Sequence, residues 1–119
     1  MQSKSILALT ILASTAITSR RFVTATGAVA EAGGPALGVA RANAVTGEAF
    51  PVDCLGTGVV TSGGAFAYGV ELEVGADGQA VARDQGVAVA RALQAATAAG
   101  QDVEVFLIPN AAQPDTGGD

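Results

Sequence analysis

Hydrophobic residues alternate with polar or small residues along most of this chain, and glycine, proline, asparagine and aspartate interrupt the alternation at short intervals. Because successive side chains of a strand point to opposite faces, a period of two predicts short β-strands. Val70, Leu72 and Val74 alternate with Glu71 and Glu73, which is typical of a strand with one buried and one solvated face. The pattern predicts strands over 21–26, 37–42, 50–55, 59–61, 70–74, 80–82, 87–93 and 102–108.

Turn residues separate the predicted strands. Asp77-Gly78 has the signature of a tight hairpin turn before the strand over 80–82. Gly56-Thr57-Gly58 is expected to end the strand after residue 55, because glycines favour turns and bulges. Pro109 is expected to end the fold.

A short block of sequence occurs twice. Val39-Ala40-Arg41-Ala42 recurs about 50 residues later as Val89-Ala90-Arg91-Ala92, and such self-similarity indicates a repeated structural unit. We therefore predict a mainly β, small single-domain fold, a β-sandwich or barrel-like structure made of two related β units with at most one short helix. The predicted parts are an extended N-terminal arm (1–21), a β domain (22–109) and a flexible C-terminal tail (110–119).

Residues 88–99 fit two structures. This segment contains seven alanines together with arginine, leucine and glutamine, and the helix propensity of these residues favours about three helical turns. The repeat favours a strand instead, because the matching block at 39–42 has poor helix formers beside it. We expect a strand over 87–93, then one helical turn over 94–99 that ends at Gly100.

Residues 6–17 form an apolar segment with two interpretations. A signal peptide cleaved near Ala16 is one, and an extended segment is the other. The extended form is favoured because the apolar run is short, contains Thr10, and is preceded by the single basic residue Lys4. The run is too short to span a bilayer, which needs about 20 residues. An exposed apolar strand edge tends to pair with another chain, so this segment is the first candidate for a contact between subunits or with a host surface.

Charge is distributed unevenly along the chain. The first 30 residues carry only Lys4, Arg20 and Arg21, or +3, whereas the remainder sets three arginines against eleven acids, or −8. An acidic body repels phosphates and disfavours nucleic-acid binding. A basic N-terminal segment suits an acidic protein surface, although Arg20-Arg21 also fits the simpler role of solvating a strand end.

Only 4% of residues are aromatic, so the small-residue core would gain stability from an oligomer or a large partner.

Candidate catalytic groups are scarce. The chain has no histidine and one cysteine, which excludes an internal disulfide, a Ser-His-Asp triad and a histidine-containing zinc site. Cys54, with Val52 and Leu55 near it in the sequence, is interpreted as a small buried hydrophobe. Glu71 and Glu73 are interpreted as a solvated strand face, and the glycines at 56–58 and 62–64 as turns, since no lysine or helix follows them. The sequence predicts no catalytic residue, no cofactor and no metal.

The order of several short motifs resembles the tailed-phage capsid cement, or head decoration, family. Singly these motifs carry little information, but their shared order covers residues 6–109. They are Arg21-Phe22-Val23, Ala32-Gly33-Gly34, Ala36-Leu37-Gly38-Val39-Ala40, Gly47-Glu48, Leu55-Gly56-Thr57, Ser62-Gly63-Gly64-Ala65, Ala76-Asp77-Gly78-Gln79-Ala80-Val81, Arg91-Ala92-Leu93-Gln94-Ala95-Ala96 and Val103-Glu104-Val105-Phe106-Leu107.

This resemblance implies a structural protein of the virion and not an enzyme. Such a protein is made in the host cytoplasm, docks on the outer surface of an expanded phage head and clamps neighbouring major capsid protein subunits. The implied partners are the major capsid protein and further copies of the chain, with a trimer favoured over a dimer. Neither nucleic acid nor a membrane is an expected partner.

The expected contact residues lie in the N-terminal segment, and residues 6–22 are expected to supply the largest share of the contact. They are Ile6, Leu7, Leu9, Ile11, Ile17, Arg20, Arg21 and Phe22. The alternative function is a secreted or envelope-associated β-rich binding module released by cleavage near Ala16, which mass spectrometry of the mature chain would distinguish. A small hydrolase that uses Glu71 and Glu73 is a third possibility.

Overall fold

A computed structural model describes residues 5–108, and within that range the chain is built of β-strands without an α-helix. The mainly β prediction is therefore confirmed, while the predicted tail over 110–119 lies outside the described residues. The strands are β1 (Ser5–Leu12), β2 (Phe22–Val23), β3 (Gly38–Ala40), β4 (Ala49–Thr61), β5 (Glu71–Val74), β6 (Ala80–Ala82), β7 (Ala90–Ala92) and β8 (Asp102–Leu107).

The strands form one antiparallel sheet in the order β2-β3-β4-β8-β7-β5-β6, with β1 paired to β4. The far end of this sheet curls back on itself, because Ser62, directly after β4, forms a parallel bridge with Ala80 of β6. The Gly63 N–H donates to the Ala80 carbonyl at 2.7 Å. The sheet is thus a nearly closed barrel, which confirms the barrel-like form of the prediction.

The repeated block occupies corresponding places in the sheet. β3 lies between β2 and β4, and β7 lies between β5 and β8, so each copy is the middle strand of a three-stranded antiparallel group. The two groups meet where β4 pairs with β8.

The strand β4 runs through a predicted break. The chain was expected to turn at Gly56-Thr57-Gly58, but this expectation was wrong, since β4 is continuous from Ala49 to Thr61. Gly56 has φ +95° and stands where the pairing partner changes: Gly56 opposes Ser5 of β1, and Thr57 opposes Phe106 of β8. The glycine therefore acts as a kink inside one strand that serves two parts of the sheet.

Buried side chains form two clusters. The larger one fills the barrel and contains Phe22, Ala30, Ala36, Val39, Val60, Phe66, Leu72, Val74, Ala80, Val89, Ala90, Ala92, Ala96, Val103, Val105 and Leu107. The smaller one packs on the part of the sheet that carries β1 and contains Ala13, Ile17, Val23, Ala40, Ala44, Phe50, Val52 and Cys54. Alanine and valine dominate both clusters, as the low aromatic content predicts.

The alanine-rich segment is not helical. The strand β7 is shorter than predicted, and no helical turn forms over 94–99. Instead Ala96 pairs with Phe66, and their backbone groups exchange hydrogen bonds of 2.9 and 3.0 Å. This tertiary pairing satisfies the backbone without a helix and overrides the helix propensity. The hairpin turn before β6 is confirmed, with Asp77 at φ 57° in a 3₁₀ turn.

Candidate contact surface

The strand β1 presents an unpaired edge. Within residues 5–108 it pairs with β4 alone. The Arg41 N–H donates to the Pro51 carbonyl at 3.0 Å, so the Pro51 backbone faces β3. Because the N–H and C=O groups of successive residues point to alternate sides of a strand, those of Phe50 and Val52 face β1. The register then places the N–H and C=O of Thr10, opposite Pro51, on the outer edge of the sheet.

Two leucines of β1 are exposed beside this edge. Leu9 is 40% exposed and Leu12 is 66% exposed, whereas Ile11 is half-buried against the smaller cluster. Ile6 and Leu7 belong to the same strand. The expected contact residues did not include Leu12, although its position within the apolar segment 6–17 was visible in the sequence.

The side chains of two expected contact residues are buried inside the fold. Ile17 is 3% exposed and Phe22 is fully buried. Ile17 packs in the smaller cluster and Phe22 in the barrel, so both contribute to the core of this chain and neither presents a side chain to a partner. These two residues are therefore not part of the candidate contact surface.

The two neighbouring arginines differ in their surroundings. The half-buried Arg21 donates from Nη1 to the Thr61 hydroxyl at 3.0 Å and to the Ser19 carbonyl at 3.3 Å. The Thr61 hydroxyl in turn donates to Asp102 at 2.9 Å. Arg20 is exposed and lies 3.6 Å from Asp102 through its Nε. Arg21 therefore stabilises the junction of β4 and β8, and Arg20 is the one available to a partner.

A cleft of about 180 Å³ opens beside Arg20. Arg41 stands across it, with its Nε 3.5 Å from a carboxylate oxygen of Asp53, and the Asp53 side chain is only 2% exposed. The lining residues are Arg20, Val39, Ala40, Arg41, Asp53 and Val59. Arg41 was not among the contact residues expected from the sequence. Its position in the repeated block 39–42 was the feature that could have indicated it.

The acidic pair on β5 is bound within its own chain. Glu71 lies 3.3 Å from Arg83 and 3.6 Å from Arg91. Glu73 accepts hydrogen bonds of 2.8 Å from the backbone N–H groups of Asp84 and Gly86. These contacts give both carboxylates structural roles at the loop after β6.

Cys54 is buried beside β1. Burial raises the pKa of its thiol, the Leu9 backbone hydrogen bond opposes that rise, and the negative charge of Asp53 adds to it. A thiol with a raised pKa is a poor nucleophile. Among the described residues, no three His, Cys, Asp or Glu side chains are grouped as metal ligands would be. The same part of the chain contains no helix long and apolar enough to span a membrane.

Comparison with known proteins identifies the family. Residues 1–107 match the family model described as phage cement protein. The chain belongs to the phage cement protein family. The resemblance noted from the motif order is thereby confirmed, and this cement protein is a phage capsid structural protein and a component of the virion.

A solved structure shares the fold of this cement protein. The crystal structure of the N base of head fiber gp8.5 from bacteriophage phi29 superposes with a TM-score of 0.71 at 22% identity, over 86% of this chain and 93% of that one. At this identity the likeness shows the fold. A search of curated proteins returned no match.

Proposed function

We propose that this protein binds the outer surface of the phage head and stabilises contacts between major capsid protein subunits, with the outer edge of β1 as its main docking element. The observation that carries the proposal is the outward-facing backbone of β1 at Thr10, which pairs with no strand among residues 5–108 and is flanked by the exposed Leu9 and Leu12. An extended capsid segment added to this edge would gain backbone hydrogen bonds and bury both leucines. Family membership supports a role on the capsid.

Adhesion without chemistry is consistent with the rest of the molecule. A standard protein interface buries about 800 Å² per partner, and many identical weak contacts on one shell act together. We further propose that copies of the chain associate with one another, as a trimer in preference to a dimer, because a core rich in alanine gains stability from association. Light scattering on the free protein measures this association directly.

The alternative of a cleaved leader conflicts with the position of β1. Cleavage near Ala16 would remove a strand that pairs with β4 and would leave the β4 edge open. It would also separate Ala13 from the smaller cluster. The proposal therefore keeps β1 in the mature protein.

A proline substitution tests the edge without dismantling the core. Thr10→Pro removes an N–H that points away from the sheet, and edge strands tolerate proline at such positions. The matched control is Ala82→Pro on β6. The bond from the Arg83 N–H to the Glu71 carbonyl shows that the neighbouring Ala82 N–H points outward from β5.

Both variants are added to heads of the cognate phage that lack this protein, and occupancy is measured by sedimentation with quantitative gels. Thr10→Pro is expected to lower occupancy about tenfold, and Ala82→Pro is expected to match wild type. Equal occupancy for all three proteins, with unchanged circular dichroism, would remove the β1 edge from the proposed function.

A further inference from the structure

The cleft between Arg20 and Arg41 holds two guanidinium groups with unused donors. Each arginine approaches an acid of its own chain through Nε, Arg20 to Asp102 at 3.6 Å and Arg41 to Asp53 at 3.5 Å. No hydrogen bond from the Nη groups of these two arginines reaches any residue that the structure describes. A guanidinium carries five N–H donors in a fixed fork, so most of the donor capacity at this cleft is available to a ligand.

The backbone holds Arg20 in a conformation that side-chain-bearing residues rarely adopt. Its φ is +63°, in the left-handed region that is unfavourable for residues other than glycine. Two hydrogen bonds maintain it: the Arg20 N–H donates to Ala40 at 2.8 Å, and the Thr61 N–H donates to Arg20 at 2.9 Å. The sheet therefore fixes where the Arg20 side chain leaves the backbone.

Part of the cleft wall is apolar. Val39, Ala40 and Val59 supply apolar lining, and the nearly buried Asp53 orients Arg41. A partner group that entered would displace water from around the two half-exposed arginines, which strengthens an ion pair relative to one on an open surface.

The local charge balance selects the ligand class. Of the charged residues that line the cleft, Arg20 and Arg41 are positive and Asp53 is negative, which leaves one net positive charge on its walls. A single carboxylate matches this charge, whereas a phosphate with nearly two negative charges would meet the carboxylate of Asp53. The planar carboxylate also fits the fork of a guanidinium in a bidentate manner.

We propose that this cleft receives the carboxylate of an aspartate or glutamate side chain from the major capsid protein, and this proposal rests on the proposed function. The cleft lies close enough to β1 for one partner to contact both. The Arg41 N–H donates to the Pro51 carbonyl, and Pro51 opposes Thr10 of β1. The cleft residue Arg41 is thus two strand spacings, about 10 Å, from the backbone of the proposed docking edge. One capsid subunit can contact both.

Charge-matched variants test the cleft on intact heads. Arg20→Gln and Arg41→Gln each remove one positive charge, and Arg83→Gln removes the same charge from an ion pair with Glu71 at the loop after β6. The first two are expected to weaken binding about tenfold each and to reduce its dependence on NaCl concentration. Arg83→Gln is expected to bind as wild type. Arg41→Lys keeps the charge without the fork and is expected to fall between Arg41→Gln and wild type.

A second measurement isolates the cleft from capsid docking. Glutarate is titrated into the free protein while the arginine Nε–Hε resonances are followed by NMR, and the Arg20 and Arg41 signals are expected to shift together. Arg20→Gln does not touch the contacts of Asp53, so it remains informative if Arg41→Gln lowers stability.

The possible outcomes separate the two proposals. Loss of head binding in Thr10→Pro but not in Arg20→Gln or Arg41→Gln would overturn the carboxylate cleft and retain the proposed function. Absence of head binding by the wild type, together with no glutarate shift, would overturn both. Equal weakening by Arg83→Gln would show a general charge effect and would also overturn the cleft.

Discussion

Gly27 packs directly against the backbone carbonyl of Leu12, so a side chain at residue 27 would overlap the Leu12 oxygen. The contact is reinforced by the Ser14 N–H, which donates to the Gly27 carbonyl at 2.9 Å. Because Leu12 ends β1, the loop around Gly27 covers that end of the strand edge. The backbone edge is therefore open to a partner strand from Thr10 toward the start of β1, while the side chain of Leu12 stays exposed beside it.

The first prediction concerns this contact. Gly27→Ala is expected to lower the free energy of unfolding by at least about 2 kcal/mol, because the methyl group adds an overlap to the cost of a positive φ. Gly47→Ala is the control, since Gly47 has a similar φ of +91° but no atom within 4 Å of the added carbon. It is expected to cost about 1 kcal/mol. Urea denaturation measures both, and equal losses would contradict the packing seen at Gly27.

The second prediction concerns the exposed side chain of Leu12. Leu12→Ser is expected to change the free energy of unfolding by less than about 0.5 kcal/mol, since the side chain is largely solvated. It is expected to lower occupancy on heads about tenfold, because an interface would otherwise bury the leucine. Tyr68→Ser is the control at another exposed apolar position, before β5. A loss of occupancy confined to Tyr68→Ser would place the contact surface elsewhere.

The third prediction concerns pH and Cys54. Burial raises the pKa of this thiol above its ordinary value of 9.0, so the folded state binds the proton more tightly than the unfolded state. The resulting stabilisation is complete at pH values below the pKa of the unfolded thiol. It is lost as pH rises through the folded value.

Urea denaturation near pH 8 and near pH 10.5 measures this dependence. Wild type is expected to lose more free energy of unfolding between the two pH values than Cys54→Ala, in which the other titrating groups are unchanged. A pH dependence identical in both proteins would show that the thiol titrates alike in the folded and unfolded states.

The fourth prediction concerns the alanine-rich loop. Ala96 is buried against the barrel, where it pairs with Phe66. Ala96→Leu is therefore expected to cost about 1–3 kcal/mol through overpacking. Ala95→Leu adds the same atoms at an exposed position and is expected to stay within about 0.5 kcal/mol of wild type. Thermal unfolding compares the two, and a helix over 94–99 would be supported if both variants were stabilised.

Local pattern predicted those elements whose partners are close along the chain. The strand β6 and the turn at Asp77 were predictable because β5 and β6 form a hairpin, and the alternation of β8 is regular. The continuity of β4 was not predictable, because it depends on β8, which begins some 40 residues after β4 ends. The predicted helical turn over 94–99 was wrong for the same reason, since Phe66, which pairs with Ala96, lies 30 residues earlier.

The candidate surface divides in a similar way. The apolar character of β1 and the basic pair at Arg20 and Arg21 were visible in the sequence. The burial of Ile17 and Phe22 was not, because an apolar side chain carries no local sign of whether it faces its own core or a partner. Arg41 joined the site only because β3 lies beside Pro51 and brings it across the cleft from Arg20.

By itself the sequence determined a single mainly β unit, a duplicated strand block, an acidic body and the absence of histidine chemistry, since these follow from composition, period and turn residues. The tertiary structure alone decided which strand edge stays open, which arginines share a cleft and which apolar residues remain exposed. These features depend on hydrogen bonds and packing between residues far apart in the chain, which no local pattern encodes.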